Sequence, residues 1–299
     1  MALTTKNTGM NVEFIKESTR GTAPGSGQLY RVSDGIENVN LVGRNNGEII
    51  YSVYDYDGQG TIFGAEEYVL TFDYYLQRHD ATNHPLTNSI EYYAVNRTAG
   101  NLDTLTFFLH TDSSSTFLCT GGVINSWSLT TEEKRLRCSA EIIFKSVVTT
   151  STGYDSYTPS NACGTTFEQF QGASITRGTS FNAGVGNFTI NISNNAEAIP
   201  VIGSSTPINI YESLENLSGT VDILLNDGGE DDFGVMKGQQ KDSIVFASGT
   251  STDANDKSMK WTFSNTHYSE IPINFTTDTK VVISGVNWNA ETVALAAYS

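Results

Sequence analysis

The feature of this sequence that most restricts its fold is a period-two alternation of apolar and polar residues that returns again and again. In Tyr68-Val-Leu-Thr-Phe-Asp-Tyr-Tyr-Leu76 one face carries Tyr68, Leu70, Phe72, Tyr74 and Leu76, and the other the mixed set Val69, Thr71, Asp73 and Tyr75. Leu105, Phe107 and Leu109 alternate in the same way. So do Val123, Asn125, Trp127 and Leu129 against Ile124, Ser126 and Ser128, and then Cys138, Ala140, Ile142 and Phe144. Successive side chains of a strand point to opposite faces, so each stretch reads as a half-buried strand. Such stretches resume at 188–192 and continue through 221–225, 244–246, 259–263, 271–275 and 281–288.

Composition agrees. Charged residues are only 17% of the chain, and the polar remainder is mostly Ser, Thr, Asn, Gln and Gly, with 27 glycines for tight turns. Ala, Leu, Lys and Arg are thin, and no helix stands out. The expected class is all-β, and 299 residues suffice to bury a sizeable core. The length suits two domains better than one.

Asp and Glu number 33 against 17 Lys and Arg, a formal charge of −16, and no basic run occurs. That argues against a protein that grips nucleic acid, since phosphate binding needs clustered cations. It is compatible with a wall past which a polyanion moves without sticking. The opening Met-Ala-Leu-Thr-Thr-Lys is too polar for a signal peptide, and no apolar stretch approaches a membrane span. The expectation is a protein made in a cytoplasm with no membrane partner.

Along the chain, residues 1–31 read as an extended arm, rich in Gly, Thr and Ser. Residues 32–148 form a first β domain, the aperiodic 149–164 a linker, and 165–299 a second β domain. The halves are alike in plan. Each has a long early strand pair, a Gly-led strand (Gly64 to Leu76; Gly219 to Leu225) and a late run of closely spaced strands. Divergent duplication is the expected origin.

Candidate chemistry is sparse. His79, Asp80 and His84 lie in one loop before Pro85, where two imidazoles and a carboxylate raise the question of zinc. Their spacing in a loop defines no geometry, and a solvated turn is expected instead. His110 and His267 are isolated. The acidic run from Asn226 to Phe233 lacks the alternating ligands and distal Glu of an EF-hand and reads as an exposed hairpin loop. Ser126 and Ser128 have no nucleophile-elbow context, and no phosphate or dinucleotide loop occurs. Cys119, Cys138 and Cys163 form no CxxC pair; a Cys119–Cys138 bridge between neighbouring strands stays open. No catalytic residue, cofactor or metal site is expected.

The segment from Glu48 to Phe63 is more informative. It carries Tyr51, Tyr54, Tyr56, Ile62 and Phe63 around an expected Asp57-Gly58 turn. Aromatic residues on both faces of a hairpin are hard to bury in one small sandwich, and tyrosine suits subunit contacts. These five residues are the candidate interface; an ordinary pair of core strands is the plainer alternative.

Three further segments carry a family resemblance. Glu17-Ser-Thr-Arg-Gly-Thr-Ala-Pro24 resembles the opening of the tail tube proteins of long-tailed, siphovirus-like viruses of bacteria and archaea. Gly121-Gly-Val-Ile-Asn-Ser-Trp-Ser-Leu129, with its partner 137–144, is similar to that family's glycine-led strand and its neighbour, and Lys280-Val-Val-Ile-Ser-Gly-Val-Asn-Trp288 fits its close. The resemblance implies tandem sandwich domains that lend strands to a β-barrel shared between subunits. Two-domain chains would form trimeric rings of pseudo-sixfold shape; hexameric rings suit one-domain chains. The rings stack into a hollow tail through which viral DNA passes without specific binding, and other tail proteins cover the ends. Assembly would occur in the host cytoplasm and the product would reside in the virion. The alternative from another class is a carbohydrate- or host-binding sandwich of a tail fibre or decoration protein.

Overall fold

Strand pairing dominates the computed structural model, which describes residues 11–45, 48–52, 55–62, 66–110, 116–132, 134–150, 156–158, 166–177, 179–180, 184–201, 204–213, 215–225, 234, 237–238, 241–275 and 281–299. The chain is nearly all β, as the alternation predicts. One antiparallel run forms the spine. It passes through Ile36–Asn45, Glu66–Tyr75, Arg135–Phe144 and Thr116–Glu132. It then continues through Gly184–Ser193, Asn216–Leu225 and Val281–Ala290 to the end of Met259–Glu270, with Ile273–Phe275 also on Val281–Ala290. Two smaller layers cover one face of this spine. Val12–Lys16, Leu105–His110, the start of Thr116–Glu132 and Ser146–Thr150 make the first. Ser174–Arg177, Asp242–Ala247, the start of Met259–Glu270 and Thr292–Ala297 make the second.

The two groups follow one pairing scheme in one chain order. In each, the first cover strand pairs with the second, and the second pairs with a long strand that goes on to pair with two later strands, its successors in the scheme. The earlier of those successors then meets a spine strand that is itself paired with the one before it.

The face toward the covers is the predicted apolar one: Leu70, Phe72, Tyr74 and Leu76 are buried, as are Ile142, Phe144 and Trp127. Buried apolar area contributes about 25 cal/mol per Å², and here its main cluster draws on both halves. Trp127 stacks on Trp261 across them, centroids 5.8 Å apart. Backbone bonds join the halves too, since Ser126–Thr130 pair with Thr189–Ser193.

The long strand Thr116–Glu132 belongs to a cover at its start and to the spine thereafter, so it must bend. It does so at Gly121, whose φ of +68° a side chain would resist. Buried Glu17 holds the bend. Its carboxylate accepts from the backbone N–H of Gly121 and of Gly21 and from the Thr106 hydroxyl, all at 2.7 Å. Glu17→Ala leaves those donors without a partner. A loss of roughly 2–3 kcal/mol in denaturant unfolding is expected, and a loss below ~0.5 kcal/mol would mean water replaces the carboxylate.

Several expectations change. Part of the expected arm is core: Val12 and Phe14 in Val12–Lys16 are buried, because both faces of that strand are covered. Residues 1–10 lie outside the described residues. The first two residues of the expected linker, Thr149 and Thr150, complete the cover strand Ser146–Thr150. The linker's Tyr157–Thr158 pairs in parallel with Gly27–Gln28, and the Tyr157 ring packs 4.7 Å from that of Phe108. A short helix, Ile90–Val95, also appears. Ser89 caps it by accepting from Tyr92 N–H, and Ile90, Tyr93 and Ala94 are buried. Cys119 and Cys138 are free buried thiols, not a bridge; Cys163 lies outside the described residues.

Candidate assembly interface

The tyrosine-rich segment is a hairpin with a backbone pairing of its own, Glu48–Ser52 with Asp55–Ile62. Ser52 pairs with Asp55, so Asp57 and Gly58 sit within a strand and not in the expected turn. Tyr54 and Phe63 lie outside the described residues. Tyr51, Tyr56 and Ile62 are strand residues whose backbone alone is described.

A second hairpin, which the alternation does not reveal, occupies the matching place in the other half: Glu197–Val201 with Ser204–Tyr211. The two match residue for residue. Glu48 pairs with Ile62 as Glu197 pairs with Tyr211, and Ile50 with Gly60 as Ile199 with Asn209. One constant separation along the chain relates Asn38 to Asn187, Asn45 to Asn194, Glu48 to Glu197 and Asp73 to Asp222. Local chemistry follows it: Asn38 donates to Asp73 at 2.8 Å and Asn187 to Asp222 at 2.9 Å. Burial raises the Asp73 carboxyl, but hydrogen bonds from Ser139, Asn38 and Arg137 outweigh it and hold the group below its usual range.

The second hairpin docks on the first half. Ile210 inserts among Val69, Leu102, Val123 and Ile143, a burial worth roughly 1.5–3 kcal/mol. Arg20 clamps it by donating to Asn209 Oδ1 at 3.1 Å and pairing with Glu212 at 2.7 Å. Ile199, Val201, Ile208 and Tyr211 of this hairpin are exposed.

At the base of that hairpin lies the seam between the halves, organised by Asn194. This side chain is fully buried. It donates to the carbonyls of Ala94 at 3.1 Å and Ile124 at 2.9 Å and accepts from Arg97 at 3.0 Å. Its backbone N–H donates to Asn125 O, and Ala196 N–H to Asn125 Oδ1.

The spine face away from the covers is partly exposed and polar. Rungs across it read Ser139–Ser128–Asn191–Ser218–Asn289 and Arg137–Thr130–Thr189–Thr220–Asn287. Asp73, Glu141, Asp222 and Glu270 add negative charge along the same strands, while Arg137 is bound to Asp73 at 2.9 Å.

The histidine loop differs from the expected solvated turn. Ala81–Asn83 are exposed, but His79 and His84 are buried with stacked rings 5.7 Å apart. His79 Nε2 lies 3.0 Å from Met259 Sδ and His84 Nε2 2.8 Å from Arg31 O. Burial, then His84, push the His79 pKa down to about 3; burial also lowers His84. Asp80 accepts from the N–H groups of Thr82 and Asn83 and so shapes the turn. His110 faces Glu13 at 3.3 Å and His267 is exposed. Among the described residues no group of three His, Cys, Asp or Glu could hold a metal, and no helix is long and apolar enough to cross a membrane. The acidic run 226–233 lies outside the described residues.

No family model and no curated protein sequence matches the chain.

Proposed function

We propose that the chain is a structural virion protein, the major tail tube subunit of a long-tailed virus. Its two halves act as tandem tube domains, and their spine strands join those of other copies in a β-barrel that lines a hollow channel for viral DNA. The observation that carries this reading is a spine that already runs from one half into the other and ends in two outer strands. Among the described residues, Ile36–Asn45 pairs only with Glu66–Tyr75, and the end of Met259–Glu270 only with Val281–Ala290. Outer strands of this kind invite pairing, and a closed barrel removes them. The uncovered face supports the same reading. A carpet of Ser, Thr and Asn with added carboxylates gives a polyanion no cationic foothold. The exposed Ile199, Val201, Ile208 and Tyr211 supply apolar area of the kind assemblies cover.

Electron microscopy of the purified protein tests this. Rings or tubes are expected, with three chains per ring by mass. Replacing Tyr54 and Tyr56 by Ser is expected to leave circular dichroism unchanged and to abolish polymerisation. A chain that stays monomeric at high concentration, alone and with tail partners, would contradict the proposal. Six-chain rings would refute the tandem-domain part alone.

A further inference from the structure

The seam inside the chain has a register that can be carried over to the two outer strands of the spine. Within the chain Ser193 lies opposite Ser126 and Ile190 opposite Leu129. The constant separation that relates the halves carries Ser193 to Arg44, Asn194 to Asn45 and Ile190 to Leu41. The other side of the seam transfers by its pairing. Ile124 faces Ile142 and Ser126 faces Glu141 with a bulge between, as Tyr268 faces Trp288 and Glu270 faces Asn287 with a bulge between. Ile124, Asn125 and Ser126 therefore correspond to Tyr268, Ser269 and Glu270, and Leu129 to Ile273.

We propose that copies of this chain join head to tail by pairing strand Ile36–Asn45 of one with residues 270–274 of the next, Arg44 opposite Glu270, and that Asn45 closes the junction on the carbonyls of Tyr268 and Ser269. The inference rests on the self-assembly reading above and adds the register and the residues. What transfers is chemically consistent except at Pro272, which falls opposite Val42 and lacks the N–H that Ser128 brings to the internal seam. Arg44 and Glu270 are both exposed and of opposite charge, where the internal seam has two serines. Leu41 meets Ile273, as Ile190 meets Leu129. Asn40 meets Asn274, as Thr189 meets Thr130. Asn45 repeats the residue type whose buried amide bonds the internal seam together, and Glu48 and Glu66 recur beside it as Glu197 and Glu215 do beside Asn194. An opposite-charge pair directly across two strands stabilises them and a like-charge pair opposes pairing. Two ends that differ in sign also favour head-to-tail over head-to-head contact.

The test is a charge swap read by light scattering across a concentration series. Arg44→Glu and Glu270→Arg are each expected to raise the concentration of half-assembly on the order of tenfold or more, and the double variant to restore it. Asn45→Ala is expected to weaken assembly comparably while thermal unfolding of the monomer stays unchanged. Asn194→Ala should instead lower the unfolding temperature of the monomer itself. Assembly untouched by the single charge variants, or lost in both and not restored by the swap, overturns this seam and leaves the tube reading standing. An Asn45→Ala protein that assembles normally overturns the role of that residue. A wild-type chain that never assembles overturns both proposals.

Discussion

Trp127→Ala is expected to destabilise the protein by roughly 3–5 kcal/mol and to weaken both halves together. The side chain is fully buried, stacks on Trp261 from the other half, and donates its Nε1–H to Tyr74 Oη at 2.8 Å. Tyr74 in turn donates to the buried Glu91 at 2.6 Å, whose carboxyl burial pushes up. Truncation therefore opens a cavity at the joint of one continuous core and strips a partner from a buried polar chain. Calorimetry of the variant should show a single transition at lower temperature. Two separated transitions, or loss confined to one half, would mean that the halves hold their cores independently.

Acid should begin to destabilise the protein above the pH at which most carboxylates titrate. The unfolded chain binds a proton at each histidine below about pH 6.5, whereas folded His79 does so only near pH 3. Between those values the unfolded state holds more protons, so stability falls as pH falls, by about 1.4 kcal/mol per unit for that group and about 3 kcal/mol by pH 4. His84, lowered by burial, adds in the same direction. Glu91, raised by burial, opposes it at the acid end. The unfolding temperature should drop steadily from pH 7 to pH 4.5, and His79→Leu should flatten the slope. A wild-type profile already flat over that range would show that protons reach the imidazoles in the folded state.

The strands were readable because most face a core on one side only. Tyr68–Leu76 and the run from Cys138 to Phe144 alternate for that reason; Leu70 to Leu76 and Cys138 to Phe144 bury the predicted face, while Tyr68 is half-buried and Val69 and Ile143 on the other face are buried under Ile210. Where both faces are covered the signal vanishes: Thr106 and Phe108 are as buried as Phe107, and Val12–Lys16 reads in sequence as part of an arm. The helix Ile90–Val95 is too short to display a helical period and contains two tyrosines. The histidines read in sequence as a solvated turn because the residues between them are polar and exposed, while their rings fold back into the core.

The repetition between halves was visible in plan and hidden in identity, and packing explains why. Leu70 opposite Ile142 in one half corresponds to Gly219 opposite Trp288 in the other. A Cβ on Gly219 would lie 2.4 Å from the Trp288 ring, so the large indole fills the volume that two aliphatic side chains share elsewhere. Cores keep volume and let identity drift. Among the matches that persist, Asn194 bonds the internal seam, and Asp73 and Asp222 accept from Asn38 and Asn187 beside bulges, positions where hydrogen-bond geometry admits few substitutes. As for the five interface candidates, tyrosine content pointed to the hairpin, but only the docked counterpart at Glu197–Tyr211 indicated what such a hairpin can lie against.

If copies join as proposed, the internal seam also changes the arithmetic of their assembly. Because a peptide chain tethers its two sides, they meet at an effective concentration set by the tether and not by the amount of protein in solution. Dilution can separate one copy from another, yet it cannot part the halves of a copy. Any closed circle built from such units contains an even number of half-units, and only every second junction has to form by encounter. A duplicated chain thus reaches a given ring through fewer collisions than a single-unit chain would, with a correspondingly shallower dependence of ring formation on concentration.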